Sequence, residues 1–265
     1  MRLTAAKKEE LMRRVAEFPG HTAIYFKNLI TGETFGYNER EMMCAASVIK
    51  LTIMVELFRQ MEAGQVKRDS LLEMKDEYRV PISGVLTLMH AGLMVTPIDL
   101  CALMIAVSDN VATNMLIDLL GLENIQRTIR DMDLYGVELN RKLFDRRPEY
   151  RDRTNYITAE GIGKLVEMIW RGEAVSPAAS KEMLHMMRQQ QCTNKIPLLL
   201  PGEGRAAHKT GEDETMTHDV GVVFAREPFV VCHTSWKLEA GAEGRRNVQI
   251  GEITRELFDA CGGDA

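Results

Sequence analysis

The order of periodicities along this chain constrains its fold more than any other feature. Strand-like runs stand near both ends of the 265 residues, and the long stretch between them is written in helical periods. Residues 21–27, HTAIYFK, read as a strand, residues 28–32 carry turn chemistry, and residues 33–37 read as the partner strand. Residues 205–210, 219–225 and 229–236 are β-rich runs separated by turn signals. Strands first, helices in the middle and strands again at the end is the order expected of one antiparallel sheet with helices inserted. The predicted class is α+β, with an antiparallel sheet built from both chain termini, flanked by helices, and an inserted all-helical domain. The expected division is 1–44 plus 191–265 for the sheet domain and 45–190 for the helical domain.

Helix signals support that division. Residues 3–18 read as a helix stopped by Pro19-Gly20. Another starts at Ser47. Thr96 as N-cap and Pro97 in the first turn open a helix that runs to Val107. The next begins just past Asn110 and ends at Gly121. Residues 158–170 form one stopped by Gly172, Ser176-Pro177 opens one to about Gln190, and residues 247–261 close the chain. Residues 135–155 are polar, rich in Arg and aperiodic. A loop that long inside a compact domain is usually functional.

Composition narrows the partners. Lys and Arg number 33 against 38 Asp and Glu, a net charge of -5, and the basic residues are scattered. No nucleic acid or anionic membrane is expected to bind. The N-terminal segment is amphipathic and lacks the apolar core of an export signal. It reads as the start of a cytoplasmic chain, or of a secreted or periplasmic one whose leader was removed. Five cysteines, an odd count without paired spacing, read as free thiols in a reducing compartment. The chain has no CxxC, HExxH or acidic calcium loop, so no metal or other cofactor is expected.

Three short motifs carry chemistry. Ser47 and Lys50 stand one helical turn apart and share a face. Read alone, they are an N-cap and a snorkelling charge. Read as chemistry, they are a nucleophile and the amine that takes its proton, because burial drives a lysine toward neutrality. Ser108-Asp109-Asn110 breaks two helices. It is either an Asx-rich cap or a hydroxyl and an amide facing a cleft. Lys209-Thr210-Gly211 ends a predicted strand with a charge, a hydroxyl and an open backbone. Each motif alone is most simply structural. All three in this order coincide by chance in well under about one chain in a thousand.

Together they resemble the serine-active-site class A β-lactamases and penicillin-binding proteins. Residues 96–121, TPIDLCALMIAVSDNVATNMLIDLLG, look like that family's central helix pair, and element order fits over nearly the whole chain. The resemblance implies a β-lactamase/transpeptidase-like fold with its active site at the junction of sheet and helical domain. It implies a small-molecule acyl donor, a β-lactam or a related amide or ester. Ser47 would be the acylated nucleophile, Lys50 its base, Ser108 the proton donor to the leaving nitrogen and Asn110 a positioning amide. Lys209, Thr210 and Gly211 would receive the substrate carboxylate. The backbone N–H groups of Ser47 and Glu212 would hold the oxyanion.

The sequence departs from that pattern in one place above others. The family places a glutamate in an E-x-x-L-N loop to activate the deacylating water. Here residues 136–140 are GVELN, with Gly136 where the glutamate is expected. Counting back from the helix after Thr158 puts the position near Lys142 or Leu143, and neither is a carboxylate. Asp145, Glu149 and Asp152 in the same loop are the candidate replacements, set against a solvated loop with ion pairs such as Arg141 with Asp145. Glu212 adds negative charge next to the motif, with its side chain expected to point away because strand neighbours alternate. His218 on the next strand is a candidate anion contact. Three functions follow: a β-lactamase with a relocated base, an esterase or DD-peptidase-like enzyme, or a penicillin-binding sensor that acylates and stalls.

Overall fold

Both chain ends meet in one sheet. The computed structural model describes residues 3–81, 83–145 and 147–263. Helix α1 (Ala5–Ala16), capped by the Thr4 hydroxyl, leads into a hairpin of β1 (His21–Asn28) and β2 (Thr34–Tyr37). Strand β3 (Met43–Cys44) passes through a 3-10 turn, Ala46–Ile49, into α2 (Lys50–Glu62). A two-stranded ribbon, β4 (Leu72–Glu73) and β5 (Met94–Val95), precedes α3 (Pro97–Ala106). Then come α4 (Asn110–Leu120), α5 (Leu122–Asp131) and β6 (Tyr156–Ile157), which pairs with β3. Helices α6 (Ala159–Arg171) and α7 (Pro177–Met187) lead back to β7 (Ala206–Asp213), β8 (Met216–Val223) and β9 (Phe229–Trp236), and α8 (Glu243–Ala260) closes the fold.

The sheet has strand order β2-β1-β9-β8-β7, and every neighbouring pair is antiparallel. β1 from one end of the chain and β9 from the other pair in the middle, with Ile24 opposite His233. Helices cover both faces. On one side Leu11, Val15, Phe26, Val231, Ile253 and Leu257 pack α1 and α8 onto the strands. On the other, Ala23, Val220 and Val230 join a core that reaches through α6 into α2 and α4. Strands covered twice read as unbroken apolar runs, as residues 220–224 and 229–232 do. Gly163 of α6 lies against the Tyr25 ring, where an added Cβ would stand 2.5 Å from a ring carbon. Helix α2 is buried nearly all round, from Lys50 to Phe58, which places it at the centre of the molecule.

Two elements differ from the sequence reading. Helix α5 was not expected there; it follows α4 with no connecting loop, turning at Gly121, whose φ is +81°. The β7–β8 hairpin is tighter than expected. Gly211 and its acidic neighbours looked like turn residues, yet β7 continues to Asp213, with Gly211 opposite His218 and Glu212 opposite Thr217. Among the described residues no helix is long and apolar enough to cross a membrane.

Candidate active site

A cleft of about 710 Å³ opens between the edge strand β7, the start of α2, the α3–α4 junction and the 135–155 loop. Ser47, Ser108, Asn110, Thr210 and Glu212 all line it, so the three separated motifs converge. Ser47 sits in the 3-10 turn and makes no capping bond with its side chain, so the hydroxyl is not used as an N-cap. The residue before it, Ala46, has φ +42°, and Ser108 has φ +57°. Non-glycine residues in that region are strained, and such strain gathers at functional sites. Gly211 lets β7 pass close to the turn. A Cβ there would meet the Ser47 backbone nitrogen at 3.2 Å and the Ala46 Cβ at 3.1 Å.

Lys50 is fully buried at the first turn of α2. Its Nζ donates to the Ser108 carbonyl at 2.6 Å and to Asn110 Oδ1 at 2.8 Å, and lies 3.0 Å from the Ser108 hydroxyl, which donates to it when the amine is neutral. Lys209, also fully buried, places its Nζ 3.1 Å from the same hydroxyl. Burial and the neighbouring Lys209 push the Lys50 amine well below its ordinary range. Burial and the charge of Lys195 lower Lys209 to about 7. A neutral amine can accept a proton, so Lys50 is competent as a base beside Ser47.

Asp109 holds this arrangement from behind. Its buried carboxylate accepts the N–H groups of Val85 at 2.6 Å, Leu86 at 2.8 Å and Ala112 at 2.9 Å. It thereby caps α4 and ties the 83–88 segment to it, which fixes Ser108 and Asn110 on either side.

In the 135–155 loop, Leu143 is held by α4. Asn114 of α4 accepts the Leu143 N–H at 2.9 Å and donates to the Leu143 carbonyl at 2.9 Å. Leu143 is thus pinned over the cleft, and it lines the cavity together with Arg141 and Phe144. Asn155 braces the same loop, accepting from the N–H groups of Asn140 and Arg141 at 2.8 and 3.0 Å.

The three candidate bases do not reach the cleft. Asp145 is clamped by Arg147, with Nη2 to Oδ2 at 2.6 Å, and this bond holds its carboxyl below the usual range. The expected partner Arg141 turns instead to the Arg153 carbonyl at 2.7 Å. Glu149 and Asp152 are exposed and do not line the cavity. Leu143 and Phe144 of the loop line the cleft together with Ser47, whereas Glu149 and Asp152 are exposed.

His218 also departs from expectation. It is fully buried, and burial pushes its imidazole down to about 4. Its Nε2 donates to the Cys44 carbonyl at 2.8 Å and its Nδ1 accepts the Ser235 N–H at 3.0 Å. A neutral ring bonded on both nitrogens joins strands and offers nothing to an anion. Glu212 was expected to point away, but residues two apart on a strand share a face, and Glu212 lines the cleft with Thr210. Sequence reading missed Lys195, Asn114 and Asn155, since nothing in their local sequence marks them. The five cysteines are free thiols. Among the described residues no group of three or more His, Cys, Asp or Glu could hold a metal ion.

Known proteins share this fold. The sequence profile of the β-lactamase enzyme family matches residues 6–261. The chain is 26% identical to β-lactamase CARB-4 of Pseudomonas aeruginosa over 257 residues, covering 92% of this chain and 86% of that one. The crystal structure of a β-lactamase from Sphaerobacter thermophilus superposes with a TM-score of 0.89 at 28% identity, covering 98% of each chain. The structure of PBP-A superposes with a TM-score of 0.87 at 26% identity, covering 97% of this chain and 96% of that one. With the profile matching nearly end to end and the fold shared over its full length, this chain belongs to the β-lactamase enzyme family.

Proposed function

We propose that the protein is a serine hydrolase that opens the β-lactam amide through an acyl-enzyme on Ser47, and that this acyl-enzyme is long-lived. The first half of the reading is carried by the convergence of Lys50 and Lys209 on the Ser108 hydroxyl beside Ser47. Ser47 Oγ attacks the carbonyl carbon while neutral Lys50 takes its proton. The Ser47 and Glu212 backbone N–H groups hold the oxyanion; β7 is an edge strand, so alternate N–H groups on its free side are open to a ligand. As the carbonyl re-forms, the C–N bond breaks and Ser108 passes a proton to the departing nitrogen, replenished from the amine beside it. When the donor is a β-lactam acid, Lys209 and Thr210 receive its carboxylate; Asn110 positions Lys50 and the acyl amide.

Leu143 supports the second half. Hydrolysis of the ester on Ser47 needs a base within hydrogen-bond reach of a water. Of the loop residues that line the cleft, Arg141, Leu143, Phe144, Thr154 and Asn155, none is a carboxylate, and the carboxylates that line it, Glu212, Asp213 and Glu214, lie on the β7–β8 side. This also favours a second reading, in which the physiological substrate is another amide or ester, as in an esterase or DD-peptidase-like enzyme, and β-lactams acylate without rapid release. Labelling with a fluorescent penicillin, followed by peptide mapping, tests the proposal. The label is expected on the peptide that carries Ser47; label elsewhere, or none, contradicts it.

A further inference from the structure

Lys195 lies in the segment leading into β7, and its side chain is fully buried. Its ammonium stands 2.5 Å from Glu212 Oε1. Among the described residues no acceptor meets this ammonium with hydrogen-bond geometry, so Glu212 neutralises it by proximity and not by a directed bond. The partners are unequal. Lys195 is fixed inside the protein, whereas the Glu212 side chain is 52% exposed and lines the cleft beside Thr210 and Cys192. The cation belongs to the protein interior, and its counterion belongs to the substrate side.

We propose that Glu212 is a specificity-determining residue that occupies Lys195 and thereby selects acyl donors with no free carboxylate beside Thr210. This deepens the acyl-enzyme reading above and rests on it. A donor carrying a carboxylate must either displace Glu212 from Lys195 or sit beside it. Displacement is opposed because Glu212 is tethered and competes at a high effective concentration. Sitting beside it brings the carboxylate against Glu212, Asp213 and Glu214, which all line this side of the cleft, and like charges repel. A neutral ester or amide meets neither obstacle. The preferred substrate class is therefore a neutral or cationic acyl donor, and a β-lactam acid reacts despite its carboxylate.

The test compares benzylpenicillin with its methyl ester, which differ only in that charge. Binding is measured by calorimetry in Ser47→Ala protein, where neither ligand is consumed. Glu212→Gln is expected to raise the affinity ratio of acid over ester about tenfold, with Glu212→Ala moving it the same way. Adding Lys195→Met to Glu212→Gln is expected to remove most of that gain. A ratio unchanged within about twofold, or shifted toward the ester, overturns the proposal, as does a gain that survives the loss of Lys195. Acylation rates of the Ser47-bearing forms separate the two levels. Acylation by both ligands with an unshifted ratio contradicts the role of Glu212 alone. Failure of both ligands to bind or acylate contradicts the acyl-enzyme reading as well.

Discussion

Lys50 and Lys209 share a hydrogen-bond partner: the Ser108 hydroxyl lies 3.0 Å from one amine and 3.1 Å from the other. Both lysines are fully buried. Two ammonium groups so close cannot both stay charged at little cost, so the pair titrates as a unit with its proton affinity depressed. One hydroxyl between two amines of lowered basicity can carry a proton from one to the other.

Lys50→Met removes the base and leaves the apolar stem. Acylation is expected to slow by roughly 10²–10⁴-fold, measured as the second-order rate of adduct formation. In the parent protein the rate should rise with pH as the amine pair loses a proton. A rate within about tenfold of the parent would remove Lys50 from its role as base.

Lys209→Met should stabilise the fold while impairing acylation. Lys209 is lowered from 10.5 to about 7, so between those values the unfolded chain holds a proton that the folded one does not. Stability then rises with pH across that window. The cost of the buried lysine is greatest below pH 7 and fades toward pH 10. Thermal unfolding of the variant is expected roughly 5 °C higher than the parent at pH 6, with the gap closing at alkaline pH. A gap that is constant with pH would contradict the depressed basicity.

Leu143→Glu supplies a carboxylate at a cleft-lining position of the loop, where it has none among the described residues. Asn114 holds the backbone at this position through both its N–H and its carbonyl, so the new side chain should keep the direction of the leucine. The lifetime of the acyl-enzyme is expected to fall by about two orders of magnitude with little change in acylation. An unchanged lifetime would show that something other than the missing base limits release.

Asp145→Asn, Glu149→Gln and Asp152→Asn, made singly, should each change the deacylation rate by less than about twofold, the noise expected of groups that do not touch the reacting water. Asp145 is committed to Arg147, and the other two face solvent. A drop of tenfold in any one would return that residue to the site.

What the sequence made legible follows from the range of each interaction. Ser47 and Lys50 share a helix face by spacing alone, and Ser108-Asp109-Asn110 and Lys209-Thr210-Gly211 are local motifs placed at element ends. Their convergence was legible through family resemblance. The loop was legible less finely: counting left the position near Lys142 or Leu143, because Leu143 is held by Asn114, 29 residues earlier, inside a loop without periodicity. His218 was misjudged as an anion contact because an interior strand between two helical layers buries a residue that its own sequence does not mark as buried. Glu212 was misjudged because alternation was counted from Gly211: two residues on from Thr210 in β7, it shares the face of Thr210.

The most direct test is the intact mass of the protein, followed from seconds to hours after mixing with benzylpenicillin, beside Ser47→Ala. The account predicts a mass gain of one penicilloyl group that outlasts the free drug, absent from the folded variant. No gain, or an equal gain in Ser47→Ala, would contradict the assignment of Ser47 as the acylated nucleophile; a gain that vanishes within seconds would contradict the long-lived acyl-enzyme.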